Sequence, residues 1–107
     1  MLRITLVCSN GMSTSMLVEK MKAAAVRRGI DVDIDAVADD RIKDRIAQTD
    51  VLLLGPQVRY LQKNLKAQYE GKGIVVDTIE MTDYGRMNGE NVLDAAIRLS
   101  EKRGASL

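Results

Sequence analysis

The sequence predicts an α/β domain in which a four-stranded parallel sheet lies between helices. Short apolar runs at Leu2–Val7, Val51–Leu54 and Ile74–Val76, with an alternating run at Asp31–Val37, read as strands. Helical patterns separate them, and strands alternating with helices build parallel sheets through right-handed crossovers. The chain has 107 residues, the size of a single domain, so residues 1–107 are expected to share one core.

Leu2–Val7 is a buried strand ending at Cys8. After the polar stretch Ser9–Ser15, Leu17, Met21, Ala24 and Ala25 mark the inner face of a first helix. Ser13 or Thr14 is the expected cap, and Gly29 the left-handed stop. In the second strand Val32, Ile34 and Ala36 oppose Asp31, Asp33 and Asp35, which suits a sheet edge kept soluble by carboxylates. A hard-cation site on the same aspartates is the weaker reading. A short helix is expected over Arg41–Ala47, capped by Asp39 or Asp40, with Ile42 and Ile46 facing inward. The wholly apolar third strand stops at Gly55-Pro56, and a helix is expected from about Val58 to Tyr69. The fourth strand, Ile74–Val76, has Asp77 at its end. A turn at Thr82-Asp83-Tyr84-Gly85 precedes a last helix over about Gly89–Lys102, apolar at Val92, Leu93, Ala96 and Ile97. The tail, about residues 101–107, is expected to fray.

With the acidic strand at an edge and the two apolar strands central, the order is 2-1-3-4, a shortened flavodoxin-like sheet. Its switch point lies between the first and third strands, where open α/β sheets place their ligands. The loops leaving those strands are Cys8–Ser15 and Gly55-Pro56-Gln57.

Composition narrows the chemistry. Hydrophobic residues make up 46% of the chain, but its aromatics are only Tyr60, Tyr69 and Tyr84, so the core is aliphatic with six adaptable methionines. Sixteen basic and fifteen acidic residues give a net charge of +1 without a basic block, which argues against nucleic acid. There is no histidine, which removes the usual general base, metal ligand and phosphohistidine carrier. A single cysteine excludes an intramolecular disulfide and a Cys-x-x-Cys pair, and a free thiol suits a reducing cytoplasm. The N-terminus runs straight into a strand pattern, unlike a secretory signal, and no apolar run approaches the roughly 18 residues of a membrane span. No direct membrane insertion, cofactor or metal is expected.

Cys8 is the candidate reactive residue, followed by the phosphate-binding loop Ser9, Asn10, Gly11, Met12, Ser13, Thr14 and Ser15. A strand running into a helix N-terminus presents unpaired N–H groups at the positive end of the helix dipole, an anion site. Gly11 lets the backbone curl so that these groups converge, and the loop hydroxyls add donors. A cysteine placed against such a helix end is favoured as a thiolate nucleophile. The plain alternative is a buried small hydrophobe, which fits a position inside the strand better than its junction with a hydroxyl-rich loop.

Cys-Ser-Asn-Gly-Met-Ser-Thr-Ser after a short strand resembles the phosphocysteine loop of the lactose/cellobiose-type enzyme IIB proteins of the phosphoenolpyruvate-dependent sugar phosphotransferase system. Leu53-Leu54-Gly55-Pro56-Gln57 and Asp83-Tyr84-Gly85 match that family as well, and the resemblance spans about Met1–Ser100. It implies that Cys8 accepts a phosphoryl group from a histidine of enzyme IIA. It also implies that Cys8 passes the group to a sugar held by the membrane permease, enzyme IIC. The protein would then be cytoplasmic, with transient visits to the inner face of the membrane. The family suggests a β-linked disaccharide such as cellobiose, chitobiose or lactose.

The rival is a low-molecular-weight tyrosine phosphatase, which shares the strand–loop–helix plan. Its loop runs Cys, five residues, Arg, then Ser or Thr, and here Thr14 stands at the arginine position with Ser15 after it. That arginine clamps phosphoryl oxygens and offsets their charge in the transition state. Its absence favours transfer over hydrolysis. Asp83, the candidate general acid of a phosphatase, reads better as a hydrogen-bonding turn residue. A thiol redox or arsenate-reducing enzyme needs a second cysteine, and a phosphate sensor has no use for a nucleophilic thiol. Gln57 and Tyr84 are candidate neighbours of the phosphate. Arg59 reads as a solvated helix-start residue. Met12 reads equally well as an adaptable partner contact or as core, and Met16 as core.

Overall fold

The computed structural model describes residues 1–9 and 11–105, with side chains for all of these except residues 11–13 and 103–105. Strands β1 (Leu2–Cys8), β2 (Val32–Ala38), β3 (Val51–Leu54) and β4 (Val75–Thr78) form one sheet. All its pairs are parallel, and the order is β2-β1-β3-β4, as the sequence predicts. Helices α1 (Gly11–Arg28), α2 (Gln62–Tyr69), α3 (Met81–Gly85) and α4 (Gly89–Ala105) complete the fold, with 3-10 segments at Ile42–Asp44, Ile46–Gln48, Pro56–Leu61 and Glu70–Lys72.

Strand alternation divides the core into two layers. Ile4, Leu6, Ile34, Val51 and Leu53 pack with Leu17 and Met21 of α1 and Val92, Leu93 and Ala96 of α4. On the opposite face Val7, Leu52, Leu54 and Val76 meet Ile42, Val58, Leu65 and Tyr69. Gly29, at φ 65°, ends α1, and the Ile30 N–H closes back on the Ala25 carbonyl at 2.9 Å. At the edge, Asp33 and Asp35 lie 3.7 and 3.8 Å from the Arg45 guanidinium. Arg45 also donates from Nε to Thr5 Oγ1 at 3.1 Å. The carboxylates of β2 thus face an arginine, which accounts for them without a cation.

The structure corrects several boundaries. The expected helix at Arg41–Ala47 is two 3-10 turns, and neither Asp39 nor Asp40 caps it; the residue before the first turn is Arg41. The Asp39 N–H donates to the Cys8 carbonyl at 3.0 Å, which carries the β1–β2 pairing past Ala38, so the first turn begins only at Ile42. The segment from Val58 begins earlier, as a 3-10 stretch from Pro56 that bends at Val58 before α2 starts. In β4, Asp77 and Thr78 pair with Leu53 and Leu54, so both lie inside the strand. Ile74 instead closes the preceding turn on the Tyr69 carbonyl, after Gly73 at φ 85°. The stretch expected as a turn at 82–85 is the short helix α3, and α4 extends to Ala105. Ser106 and Leu107 lie outside the described residues. Among the described residues no helix is long and apolar enough to cross a membrane.

Candidate functional site

Cys8 ends β1, and the backbone on both sides of its peptide is tied into the sheet. Its carbonyl accepts from Asp39 beside β2, while the Val7 carbonyl accepts from Gly55 N–H at 2.8 Å beside β3. These two hydrogen bonds diverge from β1 in opposite directions, which is the switch point of the sheet. The Cys8 side chain is buried, 2% exposed, with Sγ 4.0 Å from the Val37 carbonyl oxygen.

Helix α1 begins three residues after Cys8, at Gly11. Its start precedes the expected caps, so Ser13 and Thr14 fall within the first turn rather than at its boundary. That turn carries no acidic residue, and the last turn carries Arg27 and Arg28. The positive end of an 18-residue helix therefore faces the Cys8 region without a carboxylate in its first turn. Asn10 and the side chains of Met12 and Ser13 lie outside the described residues. Ser9 and Ser15 are exposed.

Thr14 differs from its neighbours. It is fully buried, and its Oγ1 lies 3.2 Å from the Tyr84 hydroxyl, an interaction between residues 70 apart in the chain. The position that holds arginine in a phosphatase loop is therefore occupied by a threonine bonded to Tyr84. Sequence reasoning singled out both residues but not this pairing, and no local pattern signals a contact between two hydroxyls so far apart in the chain.

Gln57 and Tyr84 converge on Gly55. A Cβ added to Gly55 would sit 3.0 Å from Gln57 Oε1, 3.3 Å from the Val7 carbonyl oxygen and 3.6 Å from Cε2 of the Tyr84 ring. Glycine is needed here because the loop after β3 passes so close to the end of β1. Gly55→Ala is expected to destabilise the protein by about 1–2 kcal/mol, since Gln57 can swing away but the backbone oxygen cannot. A urea titration checks this, and an unchanged midpoint would contradict it.

Beside Gly55 lies a groove of about 590 Å³ lined by Pro56, Gln57, Arg59, Tyr60, Met81 and Tyr84, with Gly85. Tyr60 and Met81 are largely exposed on its walls, and Arg59 lines it as well as being solvated. Met16 is 59% exposed and does not join the core as expected, because it lies on the outer face of α1 one residue before buried Leu17. Asp83 accepts from Asn91 Nδ2 at 3.0 Å, and its carbonyl accepts from the Asn88 N–H at 2.9 Å. It acts as a hydrogen-bonding residue between α3 and α4. Among the described residues no group of three or more acidic or cysteine side chains is arranged to hold a metal.

Residues 3–95 match the family model of the lactose/cellobiose-specific IIB subunit of the sugar phosphotransferase system. The chain belongs to this family. Two IIB relatives are equally similar, each 45% identical over 101 residues, covering 90% of this chain and 94% of the relative. One is the galactose-specific component of Lactococcus lactis subsp. cremoris and the other the cellobiose-specific component of Lactococcus lactis subsp. lactis. Among solved structures, the cellobiose-specific IIB component of Borrelia burgdorferi is 41% identical, covers 95% of this chain and 94% of its own, and superposes with a TM-score of 0.78. A YwlE mutant from Bacillus subtilis, 13% identical with a TM-score of 0.55, covers 95% of this chain and 98% of its own. That likeness shows the fold alone. As a IIB component, the chain is a phosphotransferase part of a sugar-uptake system and works with that system's other components.

Proposed function

We propose that this IIB component carries a phosphoryl group on Cys8, taking it from a histidine of enzyme IIA and giving it to a sugar bound by the membrane enzyme IIC. The observation that supports this most is the position of Cys8. It is the chain's only cysteine, placed at the switch point three residues before the acid-free N-terminus of α1.

In the first step the Cys8 thiolate attacks phosphorus in line with the phosphohistidine N–P bond. The S–P bond forms, the N–P bond breaks, and the imidazole departs with its electron pair. In the second step a sugar hydroxyl attacks the same phosphorus, the O–P bond forms and sulfur leaves as thiolate. The hydroxyl proton passes to a base on the permease side or to water. Transfer of this kind depends mainly on positioning and on donors aimed at the phosphoryl oxygens. The N–H groups of Gly11, Met12 and Ser13 at the start of α1 are the proposed donors, and the hydroxyls of Ser9 and Ser15 and the side chain of Asn10 are proposed to add to them. No cofactor or metal enters either step.

Thr14, buried against Tyr84, supplies no guanidinium to promote hydrolysis. The substrate is proposed to be a β-linked disaccharide such as cellobiose, chitobiose or lactose. Equal likeness to a galactose-specific and a cellobiose-specific relative agrees with a sugar pocket supplied by enzyme IIC rather than by this chain. The protein acts as one domain on the cytoplasmic side, meeting the inner face of the membrane through enzyme IIC.

The test is incubation of the chain with phosphoenolpyruvate, the general phosphocarrier proteins and a matching enzyme IIA, followed by intact-mass measurement. A gain of one phosphoryl group is expected. An unmodified chain, or rapid hydrolysis of an aryl phosphate, sinks the proposal.

A further inference from the structure

Tyr84 touches both loops that leave the central strands. Its hydroxyl meets Thr14 in the first turn of α1, and its ring edge lies against Gly55 at the exit of β3. It is the buried residue of the five-residue helix α3. That helix is itself well held: the Tyr84 N–H donates to the Glu80 carbonyl, the Met87 N–H donates to the Tyr84 carbonyl, and Asp83 binds Asn88 and Asn91. Thr14 is fully buried, so its hydroxyl has no solvent to turn to if Tyr84 is removed.

We infer that Tyr84 is a positioning residue for phosphoryl transfer, acting through Thr14 to hold the first turn of α1 in register with Cys8. The inference rests on Cys8 being the carrier. The N–H groups proposed to receive the phosphoryl oxygens belong to the turn that Thr14 anchors. Tyr84 does not need to reach the phosphate; it fixes the backbone that does. Small displacements of such a frame are costly, since about 1 Å of misplacement can slow a reaction roughly a hundredfold.

A purely structural hydrogen bond is the competing account, and the two accounts separate under mutation. Tyr84→Phe leaves the Thr14 hydroxyl buried without its partner, which lowers stability. Adding Thr14→Val removes both hydroxyls, and paired removal of this kind restores most of the loss. Only a positioning role predicts that transfer stays slow after stability returns.

The experiment uses the full chain as wild type, Tyr84→Phe, Thr14→Ser and Tyr84→Phe/Thr14→Val. Each is measured for melting temperature and for single-turnover transfer from phosphorylated enzyme IIA across a range of donor concentrations. Tyr84→Phe is expected to lower the saturated rate about tenfold with the half-saturating concentration unchanged, and Thr14→Ser, which keeps the hydroxyl, to be slowed less than Tyr84→Phe. The double variant is expected to melt near wild type and to remain slow. Recovery of rate together with melting temperature overturns the inference, as does a wild-type rate in Tyr84→Phe. A change confined to half-saturation would make Tyr84 a docking contact and also overturn it. If wild type itself takes no phosphoryl group, the carrier reading fails, and this inference fails with it.

Discussion

Gly89→Ala is expected to destabilise the protein by about 3 kcal/mol, the upper end of the usual cost of overpacking. Gly89 opens α4 where that helix meets the middle of α1. A Cβ there would lie 2.5 Å from the Lys20 carbonyl carbon, 2.7 Å from its oxygen and 2.7 Å from the Met21 nitrogen. All three are backbone atoms of a continuous helix, so no flexible side-chain end can yield. The helices must separate instead, and they cover the core face formed by Ile4, Leu6, Val51 and Leu53. Ion pairs from Arg27 to Glu90 at 2.9 Å and from Arg28 to Asp94 also join α1 to α4. They are partly or fully exposed and contribute at most about 1 kcal/mol each, too little to offset a backbone clash. Chemical denaturation checks this, and a midpoint equal to wild type would show that the close approach is not maintained.

Cys8→Ser is expected to reduce phosphoryl acceptance at least about a thousandfold while leaving the fold intact. A serine hydroxyl needs a base to become a comparable nucleophile, and the chain has no histidine to serve. The buried side chain lies 4.0 Å from the Val37 carbonyl oxygen, too far for a serine hydroxyl on its shorter C–O bond to donate to, so burying that hydroxyl is expected to cost about 1–3 kcal/mol without unfolding the chain. Intact mass before and after incubation with phosphorylated enzyme IIA is the measurement. Acceptance retained by the variant would place the acceptor on another residue.

The sheet was legible because its edge and centre carry different patterns. Asp31, Asp33 and Asp35 alternate with apolar residues on the outer strand, while Val51–Leu54 is apolar on both faces, and its bounds in the structure are those read from the sequence. Boundaries failed where a distant group decided them. Asp39 looked like a helix cap, but its N–H pairs with the Cys8 carbonyl, which carries the strand pairing past Ala38 and leaves Arg41 before the first turn. Asp77 looked like a strand end, yet pairing with Leu53 draws it inside. For the candidate site, a lone thiol at a strand terminus and the loop after it single out Cys8 as the acceptor proposed here. Gln57 and Tyr84 were legible only as candidate neighbours. Their meeting at Gly55, and the bond from Tyr84 to Thr14, depend on how α3 folds back toward α1. A short helical turn such as Met81–Gly85 carries too few residues to show a periodic pattern.

The central claim is that Cys8 holds a phosphoryl group without promoting its loss to water. Phosphorus NMR of the chain, phosphorylated by enzyme IIA and then freed from it, follows that group directly. The account predicts a cysteinyl phosphate that persists on the isolated protein and discharges when enzyme IIA is returned or enzyme IIC with its sugar is added. Release of inorganic phosphate as fast as the group is loaded, with no need of a partner, would contradict it and make the protein a hydrolase.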